Sequence, residues 1–472
     1  MKRTYIKDLK NEIGKEVTIS GWVDVRRDHG KLIFIDLRDM SGKIQTVALP
    51  NNKDAHEVAN KVRSEWVVRA SGIVNKRPEK MISKNKETGE IEQNGDIELE
   101  LKQIEILNEA DTPPIDVRSD GREIGEDARL KYRFLDLRRP RLQKNIRNRH
   151  SVMLHVRNAL TKEGFTEIET PYMSATTPEG SRDYVVPSRL ENGKFYSLPQ
   201  SPQQYKQLLM TAGFERYFQF ARCFRDEDTR GDRQPEFTQM DLEMSYVAMK
   251  DVMALNEKVM IETIKANYPE KVIQQIPFPV MTYKEVMEKY GVDKPDIRRD
   301  KNDKNLLAFL WVIDWPFFEK DEEGNWTFTH NPFSAPQPQH MSDLMAKQNI
   351  ENILTTQYDM VMNGNEVAGG SIRNHKPEAL KKVFEIMGYE DERIEKNFGH
   401  MLRALGSGTP PHGGIAWGFD RLMMLLENEP NIREVIAFAK TGEGKDLMMG
   451  APSEITEKQM RELGIELRKK KK

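Results

Sequence analysis

Arginine and acidic side chains are concentrated in one short segment near the middle of this 472-residue chain. Two predicted strands flank a loop in which Arg222, Arg225, Arg230 and Arg233 occur within twelve positions. Guanidinium groups bind phosphate oxygens through paired hydrogen bonds, and their planar faces stack on bases. Phe237 offers a second surface for the same base. The segment therefore predicts a nucleotide site, and the alternative is a solvated, charged hairpin.

A second segment combines a turn signal with two acidic side chains. Asn363-Gly364 lies between two apolar runs, a combination that predicts a two-residue β-hairpin. In that register Val361 pairs with Glu366, so the carboxylates of Asp359 and Glu366 share one face as diagonal neighbours. Two carboxylates at such a separation can hold a divalent cation. The alternative is a surface hairpin whose charges are paired.

Arg373 lies at the end of the second strand of this hairpin. It follows Glu366 by seven positions, an odd number, so an ideal strand would direct it to the opposite face. Gly369-Gly370 is predicted to form a β-bulge that rotates Arg373 back toward the carboxylates.

A third segment is rich in glycine and precedes Arg421. Small residues over 413–418 permit close approach of a ligand, and the N-terminus of the following apolar helix favours an anion. Packing alone is the alternative for these glycines. The sequence contains neither a P-loop nor a His-Glu-x-x-His motif. The single cysteine, Cys223, has no evident base partner, and we expect it to be buried on a strand.

Residues 1–107 are predicted to form a small β-barrel. They contain short apolar stretches separated by turn residues, a spacing typical of an all-β unit. A short helix is expected over 54–62, and Asp111-Thr112-Pro113-Pro114 marks a linker, which we place at 108–140. The predicted strands are 16–25, 31–38, 43–49, 66–74 and 95–106.

Residues 141–472 show a mixed pattern of helices and strands. Apolar positions of Leu142–Lys162 fall near one helical face, and Gly164 ends that helix. Further helices are predicted over 252–267 and 377–387, and Thr456 begins a last helix with a capping box. The order favours an α+β fold, an antiparallel sheet flanked by helices. The predicted strands are 217–223, 238–246, 306–313, 358–362 and 366–373.

The composition is that of a globular chain. Hydrophobic residues make up 38% and charged residues 31%, and the formal net charge is −2. That charge excludes a globally basic nucleic-acid binder, although a local basic patch remains compatible with it. One cysteine excludes a disulfide framework and a cysteine zinc site, and it favours the cell interior. We expect no membrane span, no secretory leader and a solvated basic tail over 468–472.

The three segments, in this order, resemble motif 2, an active-site hairpin and motif 3 of class II aminoacyl-tRNA synthetases. The helix leading into Gly164-Phe165, followed by Glu169-Thr170-Pro171, resembles motif 1 and implies a homodimer. The barrel is similar to the OB-fold anticodon-binding domain of the aspartate, asparagine and lysine subgroup. The strings that resemble bacterial aspartyl-tRNA synthetases are 177–180, 201–208, 224–239 and 446–453.

The resemblance implies a cytoplasmic ligase that uses ATP to convert L-aspartate into aspartyl-adenylate. The aspartyl group would then pass to the 3′ end of tRNA(Asp), with tRNA(Asn) as a second candidate acceptor. His29 resembles the enzymes that accept both tRNAs, whereas Lys80 resembles the strict ones. The alternatives are an asparaginyl-tRNA synthetase, an ammonia-dependent asparagine synthetase and a non-catalytic tRNA-binding paralogue.

The resemblance also implies a role for each matching residue. Catalysis would rest on Arg225, Arg421 and Glu366, and Mg²⁺ would bind Asp359 and Glu366. The implied ATP contacts are Arg225, Glu227, Gln234, Phe237, Glu366, Gly418, Phe419, Asp420 and Arg421. The implied aspartate contacts are Glu179, Gln203, Lys206, Arg225, His330 and Arg373. The implied anticodon contacts are Arg27, His29, Phe34, Gln45, Arg77 and Glu92.

The chain departs from the bacterial pattern in two places that concern function. A large inserted domain is expected after Lys294-Pro295-Asp296, but here only a short remnant near 293–304 is predicted. Its loss should spare the chemistry, because none of the matching ligands lies there. Asn331 replaces the second of two family histidines and cannot carry a charge, which bears on any proton-linked closure around the substrate.

Overall fold

The computed structural model describes residues 2–84, 88–176 and 180–468. The chain forms two compact units, of which the first contains residues 1–125 with 134–139 and the second contains 126–133 with 140–472. Each unit has a hydrophobic core of its own. Among the described residues, no helix is long and apolar enough to cross a membrane.

The first unit is a closed barrel of five strands, as predicted. Its elements are β1 (Glu16–His29), β2 (Leu32–Asp39), β3 (Gly42–Ala48), α1 (Lys53–Lys61), β4 (Val67–Lys76) and β5 (Ile97–Asn108). The strand order is β1-β2-β3-β5-β4, and only β3 and β5 pair in parallel. Alternate side chains of β1, such as Val17 and Ile19, enter the barrel core. The strand continues past its predicted end because it pairs with β2 as far as a tight turn at Gly30, where φ is 63°.

The second unit is built on one sheet of eight strands. These are β6 (Thr166–Glu167), β9 (Arg216–Phe224), β10 (Glu236–Ser245), β12 (Val280–Thr282), β14 (Phe309–Ile313), β17 (Gln357–Met362), β18 (Asn365–Ile372) and β19 (His412–Gly418). The order is β12-β14-β17-β18-β19-β10-β9-β6, antiparallel except for the outermost pair at each end. The predicted α+β class is therefore confirmed. The single strand predicted over 306–313 is divided at Ala308.

Three small ladders and eleven further helices complete the described secondary structure, apart from short 3-10 turns. The ladders join β7 (Val185–Pro187) to β8 (Phe195–Ser197), β11 (Val272–Ile273) to β13 (Leu306–Leu307) and β15 (Phe318–Lys320) to β16 (Trp326–Phe328). The helices are α2 (Glu126–Lys131), α3 (Arg133–Asp136), α4 (Pro140–Lys162), α5 (Gln203–Thr211), α6 (Met249–Asn267), α7 (Tyr283–Tyr290), α8 (Met341–Ala346), α9 (Pro377–Ile386), α10 (Asp391–Leu405), α11 (Phe419–Leu426) and α12 (Glu457–Leu463). The predicted capping box of the last helix is confirmed, because Thr456 accepts from the backbone N–H of Gln459.

The large sheet separates an apolar face from a polar one. On β10, Met240 and Leu242 belong to the main core, to which α4, α6 and α11 also contribute. The alternate residues Asp241 and Glu243 point to the opposite face, because successive side chains of a strand alternate. That polar face carries the candidate functional site. Cys223 is buried on β9, as predicted.

A buried ion network anchors the start of α4 to the segment after α11. Glu434 accepts hydrogen bonds from Arg129 at 2.9 and 2.7 Å and from Arg141 at 2.9 Å. Burial by itself would raise the pKa of Glu434, but the two arginines outweigh it and hold the pKa at about 2. Ile432, two residues before Glu434, supports the arginine-rich loop, because it donates its N–H to the carbonyl of Gly231.

We expect this network to make stability fall in acid. Because the pKa of Glu434 is lower in the folded state, its contribution is present above about pH 4.5 and is lost as the pH falls toward 2. A shift of this size corresponds to about 3 kcal/mol. Glu434→Gln should lower the free energy of unfolding at pH 7 and reduce its change between pH 5 and pH 2.5, measured by urea unfolding. An unchanged pH dependence in the variant would contradict this assignment.

Candidate active site

The hairpin of β17 and β18 places two acidic side chains together. Val361 pairs with Glu366, as the Asn363-Gly364 turn predicts. The next residue, Val367, has no partner on β17 and forms a β-bulge. Asp359 and Glu366 therefore share one face of the hairpin, and their carboxylates converge beside Gly369.

The predicted position of the bulge is wrong. Gly369 and Gly370 pair regularly with β17, and the extra residue is Val367, three positions after the turn. Side chains of a strand alternate between its two faces, and one extra residue shifts that alternation by one position. Arg373 therefore lies on the same face as Glu366. The two glycines serve close approach instead. A Cβ on Gly370 would lie 2.1 Å from the carbonyl oxygen of Gly414 on the neighbouring strand.

The two carboxylates have different surroundings. Asp359 accepts from Gln357 at 2.7 Å and contacts His330 Nε2 at 3.0 Å. Burial and the neighbouring Asp359 charge raise the pKa of Glu366. Burial alone would lower the pKa of His330, but Asp359 and Glu366 outweigh it and raise that pKa. The backbone carbonyl of Glu366 accepts from Arg421 Nη1 at 2.6 Å, and the described hydrogen bonds and ion pairs include no basic partner for its carboxylate.

This carboxylate pair fits a magnesium ion only together with a further oxygen donor. Within the described ranges, no group of three or more His, Cys, Asp or Glu side chains could hold a metal. Mg²⁺ is commonly bound by one or two carboxylates plus the phosphates of a substrate. Asp359 and Glu366 supply such a pair, and Glu366 also lines the cavity that carries the arginine-rich loop.

Beside the carboxylates, two buried cations are held by two buried acids. Arg373 donates to both carboxylate oxygens of Glu243, at 2.8 and 3.1 Å. Lys206, on α5, lies 2.8 Å from Asp241 and 3.5 Å from Glu243. All four residues are at most 2% exposed, so their charges interact strongly. Burial would raise the pKa of Glu243, but Arg373 and Lys206 hold it below its usual value.

One oxygen of this cluster has no hydrogen-bond partner among the described residues. Oδ2 of Asp241 is buried and unpartnered there, although Oδ1 is paired with Lys206. An unpaired buried carboxylate oxygen costs free energy, and a cationic donor would relieve that cost. Asp241 lines a cavity of about 250 Å³. The predicted aspartate contacts that line this cavity are Gln203, Lys206, Arg225, His330 and Arg373.

A second cavity, of about 210 Å³, adjoins the first and carries the arginine-rich loop. Both cavities are lined by Arg225, Gln239, Glu366 and Ala416, so these four residues mark the junction between them. The guanidinium of Arg225 lies 5.1 Å from the ring centroid of Phe237. Arg421 lies on another wall and pairs with Asp232 at 3.0 Å. The predicted ATP contacts that line this cavity are Arg225, Glu227, Gln234, Phe237, Glu366, Gly418, Asp420 and Arg421.

Phe419, a predicted ATP contact, is not among the residues that line this second cavity. The ring of Phe419 is fully buried in the main core against Phe220, so a side-chain contact to ATP is corrected to a packing role. The sequence pattern misleads because Phe419 begins a helix whose apolar side faces the core. Glu179, a predicted aspartate contact, lies outside the described residues. Asn331 lines the cavity of about 250 Å³, and its side-chain oxygen accepts from the N–H of Phe333.

Sequence reasoning missed the acids that organise this site. Asp241 and Glu243 hold Lys206 and Arg373, and Gln357 holds Asp359. A usable signal was present on β10, where polar and apolar residues alternate over 239–244. The polar members of such a strand face away from the core. Asp232, which forms an ion pair with Arg421, could not be found in this way, because it lies in a loop, where polar and apolar residues do not alternate.

On the barrel, the structure brings three of the predicted anticodon contacts together. Gln45 Oε1 accepts from Arg27 at 3.3 Å and from Arg77 at 3.4 Å. The rings of His29 and Phe34 meet edge to face, with centroids 5.6 Å apart. Glu92, the sixth predicted contact, accepts from the hydroxyl of Ser83 at 2.6 Å.

The resemblance to class II synthetases implies amino-acid activation, which Gly369→Ala is expected to lower at least tenfold. The added Cβ would lie 2.9 Å from Oδ1 of Asp359 and 3.2 Å from Oε1 of Glu366, and Asp359 is held by two hydrogen bonds. The carboxylates must separate, which weakens any shared cation, and each 1.4 kcal/mol is about tenfold in rate. Pyrophosphate exchange over a magnesium titration measures the effect. Gly406→Ala, whose Cβ would meet nothing closer than 3.4 Å, is the control and should be unaffected. Equal rates in both variants would contradict the shared site.

Comparison with known families identifies the fold around this site. The family described as tRNA synthetases class II (D, K and N) matches residues 125–442, about two thirds of the chain. The chain belongs to the class II tRNA synthetases. An OB-fold nucleic acid binding domain matches residues 17–107, the segment that forms the barrel.

Curated relatives of this synthetase align over nearly their whole length. The aspartate–tRNA(Asp/Asn) ligase of Endomicrobium trichonymphae is 38% identical, with 99% of each protein covered. The aspartate–tRNA ligase of Macrococcus caseolyticus is 37% identical, with 96% of each covered. The first alignment runs over 592 positions against 472 residues here, so at least 120 of its positions have no residue in this synthetase. That difference is the size of a domain and accords with the predicted loss of an inserted one.

Solved structures share the fold of this synthetase. The asparaginyl-tRNA synthetase of Pyrococcus horikoshii with asparaginyl-adenylate has a TM-score of 0.74 at 20% identity, covering 93% of this chain and 98% of that one. A putative aspartyl-tRNA synthetase of Leishmania major has a TM-score of 0.72 at 20% identity, covering 93% of each. At such identities the likeness concerns the fold alone.

Proposed function

We propose that this protein is an aspartate–tRNA ligase, which activates L-aspartate with ATP and transfers it to tRNA(Asp). The observation that carries the proposal is the buried cluster of Lys206, Arg373, Asp241 and Glu243. Lys206, Arg373 and Asp241 line the cavity that adjoins the one with the arginine-rich loop. This cluster offers two buried cations, Lys206 and Arg373, to a substrate side chain. The side-chain carboxylate of aspartate matches their charge, whereas the neutral amide of asparagine would displace part of their contact with Asp241 and Glu243 without replacing the negative charge.

The same cluster accounts for how the substrate is oriented. The unpartnered Asp241 Oδ2 is an acceptor for the α-ammonium group. Arg373 and Lys206 bind the side-chain carboxylate of the substrate. To do so, Arg373 gives up part of its hydrogen bonding to Glu243, and Lys206 gives up part of its hydrogen bonding to Asp241. The α-carboxylate is then left to point toward Arg225, at the junction of the two cavities.

The first chemical step joins the contents of the two cavities. An oxygen of the aspartate α-carboxylate attacks the α-phosphorus of ATP, and the bond to pyrophosphate breaks. Arg225 neutralises charge on the α-phosphate, and Phe237 with Arg421 encloses the adenine. No protein nucleophile is needed, so catalysis consists of alignment and charge neutralisation. In the second step the terminal ribose hydroxyl of tRNA attacks the aspartyl carbonyl, and AMP leaves.

Magnesium belongs to this proposal as an ion held by Asp359 and Glu366. Their convergent oxygen donors fit a hard cation whose remaining ligands are phosphate oxygens. When bound, such an ion neutralises the charge that develops on the phosphates. Asp359 is oriented for this by Gln357, and Arg421 fixes the backbone at Glu366.

The partners and the cellular setting are proposals of the same kind. The barrel, with Arg27, Phe34, Gln45 and Arg77 on one surface, would bind the anticodon loop of tRNA(Asp), and tRNA(Asn) is the second candidate. We place the enzyme in the cytoplasm, where tRNA and ATP are available, and as a homodimer through its motif-1-like segment.

The proposal is tested by amino-acid-dependent exchange of pyrophosphate into ATP. L-Aspartate should support exchange and L-asparagine should not, because only aspartate brings a side-chain carboxylate to Lys206 and Arg373. Charging purified tRNA(Asp) and tRNA(Asn) side by side then defines the acceptor. Comparable rates with both would establish relaxed specificity. Exchange driven by asparagine instead of aspartate would overturn the proposal and make the protein an asparaginyl-tRNA synthetase.

A further inference from the structure

The barrel surface proposed to meet tRNA contains an acid that does not suit phosphate binding. Glu98, at the start of β5, lies next to Gln45 on β3, and its Oε2 accepts from Gln45 Nε2 at 3.3 Å. Nucleic-acid affinity depends largely on the neutralisation of phosphates, so a carboxylate on such a surface lowers affinity unless it does something else. No other acid contacts the Gln45 amide in the described hydrogen bonds.

The partners of Gln45 leave its side-chain amide one orientation. Oε1 accepts from both Arg27 and Arg77, and Nε2 donates to Glu98. A flipped amide would place its NH₂ against two guanidinium groups and its oxygen against a carboxylate, and both contacts are repulsive. Among the described residues, Nε2 uses one of its two N–H groups, so the other can donate to another acceptor. In this arrangement Gln45 offers a hydrogen-bond donor, and not an acceptor, to a ligand bound at this surface of the barrel.

We propose that Glu98 is a specificity-determining residue, which fixes the Gln45 amide so that it donates to a base carrying an acceptor at that position of the anticodon. The proposal rests on the proposed function, since it needs tRNA as the partner. A side-chain amide is a good reader of base edges only if its oxygen and nitrogen are fixed. The neighbouring Phe34 ring supplies a stacking surface for an unstacked base.

Two variants of Glu98 separate this role from simple charge. If Glu98 merely repels phosphates, Glu98→Ala should lower the KM of every tRNA equally. If it fixes Gln45, the same variant should lower kcat/KM for tRNA(Asp) about tenfold, the effect of one lost base contact. It should also reduce, by a similar factor, the ratio of kcat/KM between tRNA(Asp) and transcripts with single anticodon substitutions. Glu98→Gln, which retains an acceptor, should restore part of both.

The matched control is Glu105→Ala, an acid on the same strand that pairs with Arg69 away from Gln45. It should leave the anticodon ratio unchanged. Aspartate-dependent pyrophosphate exchange should be unaffected in all three variants. Absence of exchange in the unmodified protein would refute the proposed function. Normal exchange with an unchanged anticodon ratio in Glu98→Ala would refute only the role of Glu98.

Discussion

Replacing Arg373 by leucine is expected to abolish aspartate activation, with a loss of roughly a thousandfold or more in kcat/KM for aspartate. Arg373 is 2% exposed, and its guanidinium is the buried cation that Glu243 holds at two points. Without it, the substrate carboxylate would be desolvated beside Glu243, and the remaining cation, Lys206, is already paired with Asp241. Sites built around a buried polar contact discriminate by about 10⁴ to 10⁵ when that contact is missing. Exchange of pyrophosphate measures the loss.

This variant also removes the principal partner of the buried Glu243 and leaves it only Lys206, at 3.5 Å, among the described residues, which destabilises the fold. The double variant Arg373→Leu with Glu243→Gln removes that burden and should regain stability without regaining activity. Arg403→Leu, at an exposed arginine of α10, is the matched control and should retain full exchange. Recovery of aspartate activation in the double variant would show that Arg373 acts on folding and not on the substrate.

Glu366→Gln is expected to lower activation by about a hundredfold to ten-thousandfold, because the variant would weaken the binding of a cation whose neutralisation of the reacting phosphates contributes several kcal/mol. The substitution preserves shape and removes one of the two charges that converge beside Gly369. A magnesium titration of the exchange rate should show a higher metal requirement in the variant, and chelation should abolish exchange in the unmodified protein.

Glu385→Gln supplies the comparison for the second prediction, since Glu385 pairs only with Lys347 and Lys382 in the described ion pairs. It should leave both the rate and the metal requirement unchanged. Unaltered magnesium dependence in Glu366→Gln would show that Asp359 and Glu366 do not form the magnesium site.

The strands and the hairpin register could be predicted because they depend on local patterns. Apolar runs between turn residues define β17 and β18, and the Asn363-Gly364 turn fixes which residues face each other. The bulge could not be located in the same way. Its position at Val367 depends on packing, because Val367 and Ala368 both enter the core on one side of the sheet. Two glycines two residues later are a stronger sequence signal and led to the wrong position.

The charges of the site were harder to predict than its fold. Lys206 and Arg373 follow from the family resemblance, but nothing local in the sequence pairs either of them with Asp241 or Glu243. Those partners lie 35 and 130 positions away and meet only after the sheet has formed. Phe419 shows the opposite error, since a residue within a functional motif turned out to be core.

A structure of the protein with L-aspartate and a non-hydrolysable ATP analogue tests the central claim most directly. We expect the side-chain carboxylate of the bound aspartate to lie within about 3.5 Å of a nitrogen of Arg373 or Lys206. The α-ammonium group should reach Asp241 Oδ2, and the α-carboxylate should face the α-phosphate beside Arg225. A side-chain carboxylate distant from both Arg373 and Lys206 would contradict the account.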